Sequence, residues 1–319
     1  MKKIVLGVAM AAAVCGSAAF VVAATSTSTP AISKFFPVIR EAAPGLDGYT
    51  VYRPTDLSAV DSGAKVPVLV WGNGACKLSN QQYWDVLGAV SARGFVVVAH
   101  GSPSQEATKD PVTTDPAKMT KAMDWLVKTA PSKSGYELVD TSKIGVFGTS
   151  CGGLEALLAA ADSRVKSVGA LNTGFPEATV VAGTTTAGAS LVNVPAVTYS
   201  RNDLKNLHQP VLWLGGGERD VAYANRQANY DLTTVPTVLA ENPRGGHSGL
   251  WTGFRYSATD SANVIPTVDY TITTESIEAV VRWFDYTLNG NTSQSTHFLG
   301  TDCGLCTTTG WTVKSKNFN

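Results

Sequence analysis

Charge is what this sequence has little of. Only 16% of its 319 residues are Asp, Glu, Lys or Arg, and 25 basic residues cancel 25 acidic ones. A chain with no basic excess offers no electrostatic footprint for nucleic acid or an anionic membrane, so neither is expected as a partner. Cysteine is scarce as well: Cys15, Cys76, Cys151, Cys303 and Cys306 are all there are. Cys303-x-x-Cys306 has the spacing of half a zinc site, but no second ligand pair accompanies it, so no metal is expected. Histidine is scarcer still, with four residues. No internal repeat and no interdomain linker divides the chain.

The one long apolar run lies at the start. Lys2 and Lys3 precede Ile4 to Val22, rich in small residues, and Val22-Ala-Ala24 ends it before a Thr/Ser spacer. That order reads as an export signal over residues 1–24, removed together with Cys15. The remaining stretch, 25–319, suits one α/β domain with no integral membrane segment. Losing Lys2 and Lys3 leaves 23 basic against 25 acidic residues, a net charge of −2. Four cysteines in a periplasmic or extracellular chain favour two disulfides, in any of three connectivities. Nothing in the sequence bears on oligomeric state, and a monomer is the default.

Short apolar runs alternate with amphipathic stretches along the chain. Strands are expected at Tyr49–Arg53, Val66–Trp71, Phe95–Ala99, Ile144–Phe147, Val165–Leu171, Pro210–Leu214 and Thr237–Ala240. Helices are expected at Asn80–Arg93, Asp115–Thr129, from Cys151 onward, Tyr223–Asp231 and Ser276–Asn289, each with apolar residues at helical spacing. Short apolar strands alternating with amphipathic helices predict a doubly wound, mostly parallel sheet with flanking helices. Residues 25–45 read as a loose entry. Residues 177–207 lack a clear period and read as a cap or lid.

Gly148-Thr-Ser-Cys-Gly152 fits G-x-S-x-G between an apolar strand and a helix, the context in which a serine sits on a sharp turn as a nucleophile. Ser150 then needs a base, and the base needs an acid. His100 precedes Ser150, His208 lies just before a strand, and His297 lies beyond the last helix. His247, in a glycine-rich loop after the last central strand, is the expected base. The acid should follow the strand ending near Leu214, where Glu218 and Asp220 compete. Asp220 is preferred, although it could merely cap the next helix. An oxyanion would take amides from Cys151 and from the loop after the early strand, at Asn73 or else Gly74.

With these residues the chain resembles the α/β-hydrolase superfamily, and more closely the bacterial cutinase-like and polyester-hydrolase group. The likeness is carried by Trp71-Gly-Asn-Gly74, Ala92-Arg-Gly-Phe-Val-Val-Val98, Gly148-Thr-Ser-Cys-Gly-Gly153, Glu218-Arg-Asp-Val-Ala222 and Gly245-Gly-His-Ser248. It implies Ser150 as nucleophile, Asp220 as acid, His247 as base, the amides of Asn73 and Cys151 at the oxyanion, and no cofactor. The polyester hydrolases carry an aromatic beside the nucleophile and in the oxyanion loop, where this chain has Thr149 and Asn73. Phe175 and Trp251 are the residues expected to supply an apolar wall instead. If Asn73 and Cys151 aim amides at one oxygen, Cys76 comes near Cys151. Pairing of Cys76 with Cys151, and of Cys303 with Cys306, is therefore expected. The reaction expected is hydrolysis of a carboxylic ester through an acyl-enzyme. An acyltransferase using the same residues, or a binding protein on this fold, are the alternatives.

Overall fold

A computed structural model describes residues 34–60, 64–104, 114–182, 197–255, 267–268 and 270–318. The stretch 1–24 read as an export signal and Cys15 lie outside them, as do 183–196 of the stretch read as a lid. The sheet begins with β1 (Val38–Ala42), β2 (Tyr49–Pro54), β3 (Val66–Gly72), β4 (Val96–His100), β5 (Val139–Thr149) and β6 (Val165–Leu171). A small separate hairpin, β7 (Val180–Ala182) and β8 (Val197–Tyr199), follows, then β9 (Val211–Gly215) and β10 (Thr237–Glu241). A two-residue pair, β11 (Phe254–Arg255) with β12 (Thr267–Val268), precedes the last strand, β13 (Thr312–Lys316). The helices are α1 (Trp84–Ser91), α2 (Ala117–Lys128), α3 (Cys151–Ala159), α4 (Tyr223–Leu232), the single turn α5 (Gly249–Thr252) and α6 (Thr271–Asn289).

Nine strands form one sheet in the order β1-β2-β4-β3-β5-β6-β9-β10-β13. From β4 to β10 every neighbour is parallel, while β1, β2 and β13 attach antiparallel at the two edges. The period-2 alternation of side chains explains why strands buried on both faces are apolar throughout. In β3, Val66, Val68 and Val70 face the layer of α2 and α3, with Met119, Met123, Leu126 and Leu157. Leu69 and Trp71 face the other layer, where α1 and α6 supply Leu87, Val90, Val280, Trp283 and Phe284. The result is a doubly wound α/β fold.

Two edges depart from the sequence expectation. Val38–Ala42 is a paired strand rather than a loose entry, and Thr312–Lys316 adds a strand outside Thr237–Glu241. Both are short and carry charged side chains on partly exposed faces. Backbone pairing holds them, and edge strands that face water show no apolar period to read. The parallel arrangement has a functional consequence. The carboxyl ends of β3, β5, β6, β9 and β10 all open on one rim, where ligand sites of such sheets gather.

Candidate active site

Three glycines bring the rim together at Ser150. A Cβ on Gly148 would overlap the Gly152 carbonyl, and one on Gly152 would overlap Gly72 and come within 2.6 Å of the Asn73 nitrogen. Strands β3 and β5 and the start of α3 therefore meet at van der Waals distance through bare backbone. The turn between β5 and α3 places Ser150 at φ 54° and ψ −122°, a region side chains seldom occupy. The bond from its amide to the Leu171 carbonyl, 2.9 Å, ties it to β6.

The strained turn presents Ser150 to His247. Nε2 of His247 lies 2.9 Å from Ser150 Oγ, and Nδ1 lies 2.6 Å from Asp220 Oδ1. Asp220 is buried, and four donors converge on its carboxylate. Oδ1 also accepts the Ala222 amide at 3.0 Å, and Oδ2 accepts Arg226 Nη1 at 2.7 Å and Asn172 Nδ2 at 2.8 Å. Burial pushes the acid's pKa up, but the His247 bond, the Arg226 charge, the Ala222 amide and Asn172 together hold it down at about 2. An ionised Asp220 has no proton to give, so Nδ1 of His247 carries one and Nε2 is left to accept from the serine hydroxyl. Such an arrangement can withdraw a proton from a serine and return it to a leaving group.

Glu218, the rival acid, is exposed on a one-turn 3-10 helix, and it is Asp220 that pairs with His247. It borders a separate hollow of about 770 Å³ with Arg219, Tyr223, Gln227, Glu241 and Lys314, which includes neither Ser150 nor His247. Among the described residues His247 is the histidine hydrogen-bonded to Ser150. Burial, with Lys118 and Lys121, pulls His100 down to about 4, and burial with Arg282 pulls His297 down to about 3. His208 is exposed.

Behind the acid lies a salt-bridge network that the sequence did not announce. Arg226, fully buried on α4, donates to Asp220 and also to Glu241 at 2.7 and 2.9 Å; Glu241 in turn accepts the Gly217 amide at 2.8 Å. The run Gly215-Gly-Gly217 makes space for it. A Cβ on Gly215 would overlap the Arg226 guanidinium, and one on Gly216 would overlap the Gly246 carbonyl, next to His247. Gly216→Ala is therefore expected to displace the histidine loop. Any turnover that depends on His247 should fall about 100-fold for a misplacement near 1 Å, read by kcat/KM on a protein that still melts cooperatively.

Asn172, at the end of β6, is the other unannounced residue. Its amide donates to Asp220 and to the Gly246 carbonyl at 3.1 Å, and its oxygen accepts Trp251 Nε1 at 2.8 Å. Acid, histidine loop and cavity wall are thus fixed by one side chain. Its position at the carboxyl end of a parallel strand was the available signal.

A cavity of about 180 Å³ opens beside Ser150 and His247, lined by Gly74, Lys77, Tyr83, Thr149 and Trp251 among others. Trp251 stands in its wall. Phe175 does not: it is wholly buried against Tyr199 in the core under the sheet, which corrects the expectation that it contacts substrate. An aromatic in an otherwise aperiodic stretch carries no mark of which side it faces. Tyr83, inside the stretch Asn80–Arg93 expected to be helical, takes a place in the wall instead.

The loop after β3 folds over the start of α3. Asn73 is locked by its side chain, which accepts from Trp71 Nε1 at 2.9 Å and donates to the Lys77 and His100 carbonyls at 2.9 and 3.0 Å. Its backbone nitrogen is left beside Gly152, one residue from the Cys151 amide that opens α3. The Gly74 amide is turned elsewhere, to the Tyr83 hydroxyl at 3.1 Å. Disulfides join Cys76 to Cys151, Cα atoms 5.2 Å apart, and Cys303 to Cys306. The first clamps the Asn73 loop to the helix end. Replacing Cys76 and Cys151 together by serine should cost about 2–4 kcal/mol of stability and lower kcat more than it raises KM. A fall in melting temperature with kcat untouched would make the bond a staple only.

Among the described residues no helix is long and apolar enough to cross a membrane, and no cluster of three or more His, Cys, Asp or Glu could hold a metal ion. No protein-family model matches the chain. It is similar to a protein named Hydrolase ffsE from Aspergillus flavipes, 34% identical over 130 residues. The match takes in 38% of this chain and 28% of that protein. With the mostly parallel sheet and its flanking helices, this partial likeness fits a hydrolase fold.

Proposed function

We propose that the protein is an exported serine hydrolase that cleaves carboxylic esters through an acyl-enzyme. The observation that carries this reading is His247 bridging Ser150 and Asp220 at 2.9 and 2.6 Å. Ser150 Oγ attacks the ester carbonyl while its proton passes to His247 Nε2, and Asp220 stabilises the imidazolium without taking the proton. The amides of Asn73 and Cys151 hold the oxyanion. Collapse expels the alcohol with the proton from His247, and a water activated by the same nitrogen then frees Ser150.

In this reading residues 1–24 direct export, 25–319 form one catalytic domain and 177–207 act as the lid. The two disulfides are compatible with an oxidising compartment. A likeness to the Aspergillus hydrolase supports the general class. The cutinase-like assignment rests on the motifs and is narrower here, since the cavity of about 180 Å³ is below the range of about 300–1,000 Å³ usual for drug-sized ligands. Short acyl chains suit it better than long ones.

Hydrolysis of p-nitrophenyl esters from acetate to palmitate, with Ser150→Ala as the blank, tests the proposal. Turnover greatest on the shortest chains and lost in the variant is expected. Equal turnover in both proteins would reject it.

A further inference from the structure

Among the described residues, the wall of the cavity beside Ser150 contains one phenol. Tyr83 ends the 3-10 turn Gln81–Tyr83 that leads into α1, with its ring buried edge-on against Trp71, centroids 5.0 Å apart. Its hydroxyl reaches the loop after β3 and accepts the Gly74 amide. A Cβ on Gly74 would overlap that hydroxyl and come 3.3 Å from Thr149 Cγ2. Phenol oxygen and Thr149 methyl therefore flank the same face of Gly74, one residue from the nucleophile.

A phenol that accepts one N–H still has its own proton to donate. Among the described residues no acceptor takes it. The Gly74 amide, bonded to the oxygen, polarises the O–H and makes it a better donor. Burial keeps that proton in place: the hydroxyl's pKa is pushed up to about 12, against a smaller downward pull from the Gly74 amide.

We propose that Tyr83 is a further catalytic residue, its hydroxyl donating to the substrate's oxyanion alongside the amides of Asn73 and Cys151. The inference rests on the ester-hydrolase reading of the site. The Gly74 amide then acts through Tyr83 rather than on the substrate itself. No proton is transferred in this contact. The phenol stays protonated while charge builds on the carbonyl oxygen, and the bond weakens again when the tetrahedral intermediate collapses.

Tyr83→Phe keeps the ring against Trp71 and removes only the hydroxyl. The expected result is a fall in kcat of about 10- to 100-fold with KM changed less than about twofold. Loss of the Gly74 partner could also loosen the loop, so a second readout is needed. Thionoesters place a sulfur, a poor hydrogen-bond acceptor, where the oxyanion forms. If Tyr83 donates there, the ratio of ester to thionoester turnover drops in Tyr83→Phe by about the factor lost in kcat. That ratio is independent of how much of the sample is folded. An unchanged ratio, or a kcat equal to that of the parent, would overturn the proposal. Turnover that survives Ser150→Ala would overturn the Ser150 acyl-enzyme reading itself, a separate and distinguishable result.

Discussion

Replacing Ser150 by alanine is expected to lower kcat for ester hydrolysis by roughly 10⁵- to 10⁶-fold, with KM nearly unchanged. His247→Ala should fall about as far, and the double variant hardly further, because nucleophile and base act as one unit. The expectation comes from the geometry of a hydroxyl that is a weak nucleophile until Nε2, at 2.9 Å, takes its proton. Both variants should melt like the parent, since Ser150 and His247 lie at the rim and not in either apolar layer. Additive losses in the double variant would mean that serine and histidine work separately.

Arg226→Met should produce the largest loss of stability. Arg226 is fully buried between two carboxylates, and its removal leaves Asp220 and Glu241 buried without a counter-ion. Breaking one side of a buried ion network costs about 3–5 kcal/mol, which for a chain of this size lowers the melting temperature by roughly 5–8 °C. The effect should depend on pH in a defined direction. Asp220 is held below its ordinary value of 3.8, at about 2, so it contributes stability that is fully present above about pH 4. That contribution is lost as pH falls from there through about 2. The gap between Arg226→Met and the parent should thus be widest near neutral pH and narrow below about pH 4. Urea melts over that range measure it. A gap that is constant with pH would show that Arg226 acts by packing alone. Activity should fall as well, since Asp220 Oδ2 loses the donor that fixes its orientation.

The parallel core of the sheet was legible because buried strands write apolar runs, as Val66–Trp71 and Phe95–Ala99 do. The edges were not, because Val38–Ala42 and Thr312–Lys316 are held by backbone bonds that any sequence can make. At the site, motif and chain order picked out the residues that the fold brings together: Ser150, Asp220 and His247. They did not find what stands behind them. Arg226 lies on a helix whose pattern reads as ordinary, and Asn172 ends a strand without a motif. Their roles come from three-dimensional convergence on Asp220. Tyr83 and Phe175 illustrate the same limit in opposite directions, since an aromatic's sequence neighbours do not tell whether it faces a cavity or the core.

The most direct test of the central claim is a mapped adduct. The protein is treated with a fluorophosphonate at neutral pH, digested, and its peptides are sequenced by mass spectrometry. A single adduct on Ser150 is expected, absent in Ser150→Ala and formed far more slowly in His247→Ala. Labelling of a different residue, or Ser150 labelling at an undiminished rate without His247, would contradict it.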